Sequence, residues 1–214
     1  VNSIDVYNKC VINLDKYDTP TFSIEDFNTY AEKALYEYIN TKYLQFEKTQ
    51  KRTDDLRQFV KVEFISVSNA DRVALPDDYY LLLRLDFRVT EPLLCYDNKW
   101  LVGQKTTADK LGYSENNYYW KPSIKRPQFQ LIGDEILFRT GDDSPNAINA
   151  VRLEYIRVPI LYYVNPEDIS DFSNPPYTDA VDLQIIDIIC RMFQAVTNPQ
   201  QYQITLNENN LKNN

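Results

Sequence analysis

The sequence predicts an α+β fold in which N- and C-terminal helices pack together around an inserted, mainly antiparallel small β-sheet. Three observations carry the prediction. Apolar residues recur with a helical period near the start, at Phe27, Tyr30, Ala31, Ala34, Leu35, Tyr38 and Ile39. The period switches to two in the β-rich middle, about 60–160. Residues 180–196 form the most apolar run, broken by charge only at Asp182, Asp187 and Arg191.

The first element is a helix. Ser23 offers an N-cap oxygen, Glu25 and Asp26 put acids in the first turn, and the apolar face runs to about Phe46. The opposite face, Asn28, Glu32, Lys33, Glu37 and Asn40, is polar, as a surface-packed helix requires. Thr53, Asp54 and Asp55 predict the cap of a second, short helix through Phe59.

Half-buried strands follow. Val60, Val62 and Phe64 alternate with Lys61 and Glu63, and Leu83, Leu85, Phe87 and Val89 with Arg84, Asp86 and Arg88; the apolar set of each is expected inside. Between them, residues 75–80 read as a strand end and a turn, because Pro76 fixes φ. Pro92 argues against a long strand through Tyr96. Gly133-Asp134 joins residues 129–132 to 135–139 as a hairpin, with glycine where a type II′ turn needs it. Residues 151–155 make the last strand, which stops near Pro159.

Two stretches carry no sustained period. Residues 103–125 hold Tyr113, Tyr118, Tyr119 and Trp120 among Asn, Lys and Ser. Residues 165–177 hold Glu167, Asp168, Asp171 and the pair Pro175-Pro176, which excludes helix interior and central strand. Loops of this length are more often functional or interaction segments than accidents. Thr178 and Asp179 then open a helix to about Thr197, with Gln184, Asp187, Arg191 and Gln194 on one narrow stripe. Its other sides are apolar, so it is expected to be covered on most of them. Asn198-Pro199 restarts the chain into a polar tail.

The 214 residues read as one domain over 1–199 with a tail over 200–214. With no histidine, four glycines and three cysteines, most side chains that build nucleophiles, proton shuttles and metal centres are missing. No catalytic residue, cofactor or metal is expected. Cys10, Cys95 and Cys190 fit no metal or redox spacing and read as small apolar fillers. Residues 1–5 lack the features of a signal peptide, which predicts that the chain is not exported. Asp182, Asp187 and Arg191, at about 2.5–3.5 kcal/mol each in a bilayer centre, argue against a membrane span at 180–196. A net charge of −8 repels phosphate, and the weak basic groups Lys48, Lys51, Arg52 and Lys121, Lys125, Arg126 do not make a nucleic-acid reader.

The adjacent acids Asp54-Asp55, Asp77-Asp78, Asp142-Asp143 and Glu167-Asp168 read as turn and cap residues; a carboxylate-only hydrolase is the enzyme alternative. Aromatics make up 14% of the chain, and most suit a core. Tyr113, Tyr118, Tyr119 and Trp120 sit instead in an irregular polar segment. A contact with another protein, a sugar-stacking platform on a virion or cell surface, and a loop folded back on its own sheet all remain open for them.

A capped helix with Phe27-Asn28, the segment Leu75-Pro76-Asp77-Asp78-Tyr79, a late strand over 151–159, a Pro-rich loop and a covered last helix occur in this order. The layout resembles the head-to-tail adaptor or ring proteins of tailed bacteriophages, most of all the ring proteins of crAss-like phages of gut Bacteroidota. The resemblance covers roughly residues 23–198. It implies a non-enzymatic subunit of the virion, assembled in the host cytoplasm as a homo-oligomeric ring, commonly a dodecamer. Its implied partners are the portal and other neck or tail ring proteins, with genomic DNA passing through the lumen unbound and no membrane involved. It also implies a C-terminal docking segment, here 200–214, with Tyr202, Leu206 and Leu211 as contact residues beside Tyr113, Tyr118, Tyr119 and Trp120.

Overall fold

The computed structural model describes residues 2–15, 22–44, 55–67, 71–90, 98–107, 110, 117, 121–141, 148–197 and 199. The fold is α+β, with terminal helices packed together and a mainly antiparallel β insertion. Within it the chain divides into two compact units, one made of Val1–Gln58 with Pro159–Asn214, the other of Phe59–Val158.

The first unit is helical. Helix α1 (Ser3–Asp15) has no counterpart among the sequence expectations; it buries Val6, Cys10 and Leu14, spaced by four, and Asn2 Oδ1 accepts the Asp5 N–H at 2.7 Å at its start. Helix α2 (Ile24–Tyr43) begins at the expected Ser23, whose hydroxyl oxygen accepts from Asp26 N–H while the Asp26 carboxylate accepts from Ser23 N–H. This reciprocal pairing satisfies two donors that a helix start otherwise leaves open. Its buried set, Phe27, Ala31, Ala34, Leu35, Tyr38 and Ile39, is the predicted stripe apart from Tyr30. Helix α3 (Asp179–Thr197) packs against both. Phe193 of α3 meets Phe22 edge to face at 4.8 Å. Ile185, Ile186 and Ile189 of α3 are buried, each contributing about 1.5–3 kcal/mol of apolar transfer. Leu183 and Val196 face outward, so α3 is less enclosed than its composition suggests. Of the expected helix through Phe59, residues 55–59 make one helical turn that buries Leu56 and Phe59; the proposed caps Thr53 and Asp54 lie outside the described residues.

Residues 159–178 thread along these helices and are tied to each. Asn28 of α2 donates to the Val164 carbonyl and accepts from its N–H, at 2.8 and 3.0 Å. The Ser3 hydroxyl of α1 donates to the Ser173 carbonyl at 2.7 Å. Tyr162 donates its hydroxyl proton to Asp182 of α3.

The second unit holds two four-stranded sheets. The first, in the order β1-β8-β3-β4, joins β1 (Val60–Ser66), β3 (Tyr79–Val89), β4 (Trp100–Val102) and β8 (Ile148–Arg157), all antiparallel. The second, in the order β2-β7-β6-β5, joins β2 (Arg72–Ala74), β5 (Gln104–Lys105), β6 (Gln128–Ile132) and β7 (Glu135–Arg139), with β5 parallel to β6. A shared core of Val73, Leu85, Phe87, Phe129, Ile136, Phe138, Val151, Leu153 and Tyr155 lies between them. The β6–β7 hairpin turns where expected, with Gly133 at φ 57° and Ile132 opposite Glu135. Residues 104–105, inside a stretch without sequence period, are strand because they extend the edge of β6.

One expectation is reversed. On β1 the apolar residues Val62 and Phe64 point outward, 49% and 65% exposed, while Glu63 and Ile65 are half-buried. The inward side of this strand carries Ile65, packed on the core, and polar pairing: Lys61 Nζ reaches Asp78 at 3.0 Å, and the one proton of the Tyr155 hydroxyl has Asp78 at 2.6 Å and Glu63 at 3.1 Å as acceptors within reach. Tyr155 is fully buried, so its hydroxyl needs an acceptor on this side, and the β1–β8 register that brings Glu63 to it turns Phe64 out.

Candidate functional site

Residues directly opposite on antiparallel strands share a face, and the register of the first sheet therefore defines its outer surface row by row. Val62 lies beside Glu154 and Arg84; Phe64 beside Arg152, Asp86 and Val102; Ser66 beside Ala150, Arg88 and Trp100. Phe64 and Val102, at the two edges of the middle row, are 65% and 57% exposed. Single exposed apolar residues are ordinary; here Val62, Phe64 and Val102 share one sheet face, with the Trp100 indole beside Phe64.

The polar residues of the face are locked to one another. Asp86 is 1% exposed although it belongs to this outward row. It is covered by two arginines: Arg84 Nε donates to Oδ1 at 2.9 Å and Arg152 Nη2 donates to Oδ2. Asp86 raises the pKa of Arg84 still further, by hydrogen bonding and by charge. The same Arg152 guanidinium lies 5.6 Å from the centroid of the Trp100 ring, and Phe64 meets that ring at 5.7 Å with the planes 61° apart. Ala150, opposite Arg88, is the small residue in the row that holds Trp100. Arg88 donates to Asn98 Oδ1 at 3.2 Å, in the turn before β4 where Asn98 takes φ 57°. Three arginines thus face two carboxylates here, in a chain of net charge −8.

A second surface feature belongs to the helical unit. Residues 165–171 form a tight loop closed by the Val164–Phe172 bridge. The Asp168 carboxylate accepts from the Ser170 N–H at 3.0 Å and hydroxyl at 2.6 Å, which holds its pKa below the usual aspartate range. Ile169 projects from this loop, 56% exposed, between Glu167, Asp168 and Asp171. The unit also has a groove of about 530 Å³ between α2 and α3, lined among others by Glu37, Lys42, Leu183, Asp187 and Arg191. Lys42 is engaged there by Asp55 at 2.7 Å.

Tyr113, Tyr118, Tyr119, Trp120, Tyr202, Leu206 and Leu211 all lie outside the described residues, as do Cys95 and Asp142-Asp143. The described acid pairs have structural roles: Asp55 binds Lys42, Asp78 binds Lys61 and Tyr155, and Asp168 shapes its loop. Among the described residues no group of three or more His, Cys, Asp or Glu side chains is placed to hold a metal ion, and no helix is long and apolar enough to cross a membrane. Cys10 and Cys190 are buried and unbridged, with the Cys190 thiol 3.9 Å from the Cys10 carbonyl.

Phe64, Trp100, Arg84 and Arg152 were not singled out from the sequence. The available signal was that residues 60–67 carry apolar side chains on both parities, Val62 and Phe64 on one and Ile65 and Val67 on the other. A strand apolar on both faces is covered on both or exposes one. No known protein family matches this chain, and no curated protein matches it.

Proposed function

We propose that this chain is a structural subunit that assembles with copies of itself as a ring of the bacteriophage head–tail connector, around the portal axis, and extends the channel through which DNA passes. The observation that carries the reading is the outer face of the first sheet, where Val62, Phe64, Trp100 and Val102 are spread over a surface braced by Arg84, Asp86 and Arg152. Aromatic and arginine side chains together are the residues enriched where proteins meet. The order of elements, helices at both ends and a β insertion between, is the one the resemblance implies. A net charge of −8 suits a lumen that lets DNA slide without holding it. In this reading the subunit resides in the virion, beside the portal and other ring proteins, in a closed ring of the kind that is commonly a dodecamer in the proteins it resembles.

A saccharide platform on the same face is less well supported. Phe64 and Trp100 meet edge to face, 61° apart, so they do not offer two coplanar rings to a sugar. Native mass measurement and negative-stain imaging of the purified chain, with and without portal, test the proposal. A closed oligomer is the expected result; a chain that stays monomeric in both preparations overturns it.

A further inference from the structure

We propose that the outer face of the first sheet receives the acidic loop 165–171 of a second copy of the chain, with Ile169 seated against Phe64 and Trp100 and the loop carboxylates facing Arg84 and Arg152. The inference rests on the self-assembling reading above and gives it a defined contact.

Charge selects the occupant. The face presents Arg84, Arg88 and Arg152 against Asp86 and Glu154, and both oxygens of Asp86 are already engaged. What remains outward is the unused donor capacity of partly exposed guanidiniums around exposed carbon. The matching surface is an apolar tip ringed by carboxylates. Loop 165–171 supplies it, with exposed Ile169 between Glu167, Asp168 and Asp171. Opposite potentials over an apolar centre fix register and suppress wrong partners.

The loop is also shaped in advance. Asn165 N–H donates to the Asp171 carbonyl and Asp171 N–H to the Asp168 carbonyl, both at 2.9 Å. Asn165 Nδ2 donates to the Asp171 carboxylate at 3.1 Å, and Glu167 N–H donates to Asn165 Oδ1 at 3.0 Å. A loop held by its own hydrogen bonds gives up little freedom on docking. The receiving face is equally set, because Arg152 is held at once by Asp86 and by the Trp100 ring.

Face-to-face pairing of two such sheets is disfavoured. It would bring six arginines from two copies together against four carboxylates, two of which are the covered Asp86. The loop-to-sheet contact joins unlike surfaces, so each copy has one of each left over. Contacts of that kind propagate, into a ring if the rotation closes.

The test uses the full chain with Cys95→Ser, since Cys10 and Cys190 are buried. Phe64→Cys and Ile169→Cys are made separately at these exposed positions, and mild oxidation is applied to each alone and to their mixture. Disulfide-linked dimers in the mixture, and not in either variant alone, are expected. Glu167→Lys should in addition weaken self-association by about tenfold. Dimers formed by Phe64→Cys alone indicate sheet-to-sheet pairing and overturn the proposal, as does an absence of mixed dimers while native mass still shows oligomers; the ring reading survives both results. Monomers throughout, with and without portal, overturn the ring reading and this contact together. Quenching of Trp100 fluorescence by a saccharide in a Trp120→Phe background, with no mixed dimers, assigns the face to a sugar instead.

Discussion

Tyr162 gives its hydroxyl proton to Oδ1 of Asp182 inside the helical unit, and Oδ2 of the same buried carboxyl has no hydrogen-bond partner among the described residues. Burial raises the Asp182 pKa, against the lowering effect of the Tyr162 hydrogen bond, and burial with the Asp182 contact pushes the Tyr162 hydroxyl far up.

The sign of the pH effect follows. An aspartate whose folded-state pKa exceeds the unfolded value of about 3.9 contributes stability that is complete below that value and is lost as pH rises through the folded one. Asp182→Asn, which keeps an acceptor for Tyr162, should therefore be more stable than the parent at pH 7, with the gain fading toward pH 3. Urea denaturation at pH 3, 5 and 7 measures it. A variant less stable than the parent at pH 7 contradicts the account.

Asp86 is a buried carboxylate with two cationic partners. Asp86→Ala leaves Arg84 and Arg152 without their shared acceptor and should lower stability by about 3 kcal/mol, the lower end for breaking a buried pair because both arginines keep contact with water. It also frees Arg152 from its place near the indole, so a change in Trp100 emission, read in a Trp120→Phe background, should accompany the loss. Unfolding midpoints and fluorescence spectra read the two effects.

Gly103 sits where β3, β4 and the core converge. A Cβ there would lie 2.6 Å from Phe87 Cε2 and 2.9 Å from Phe129 Cδ1, both on rings packed in the core. Gly103→Ala should lower stability by about 1–3 kcal/mol through overpacking. Gly103→Ala combined with Phe129→Leu should recover part of it, which a simple loss of glycine flexibility would not allow.

Ser23→Ala removes the oxygen that Asp26 N–H uses. A destabilisation of about 1 kcal/mol is expected, with Ser23→Asp close to the parent. Thermal unfolding followed by circular dichroism checks both.

Elements whose local pattern and tertiary environment agree were readable in advance. The Ser23 cap, the β6–β7 hairpin and the start of α3 at Asp179 all fall where sequence places them. Helix α1 was missed because its buried apolar face is only Val6, Cys10 and Leu14, a narrow stripe in which Val6 and Cys10 are weak helix formers, and the helix is supported by packing on α3. The outer sheet face was missed for a different reason. Alternation says that β1 has two sides, but which one goes inward is set by its hydrogen-bonded register with β8, far along the chain, where Tyr155 meets Glu63. Long-range hydrogen-bond demand of this kind leaves no mark on the local pattern.

The entry and exit of the β unit are joined by a hydrogen bond from Arg157 N–H to the Phe59 carbonyl at 2.9 Å. Once the strands have zipped, everything from Phe59 to Val158 acts for the helices as a short clasp instead of a long tether. The entropy of closing that tether is settled inside the β unit, before α3 is asked to find α1 and α2. During synthesis α1 and α2 emerge first yet lack their packing partner, so the β unit is positioned to be the first part of the molecule that can mature on the ribosome.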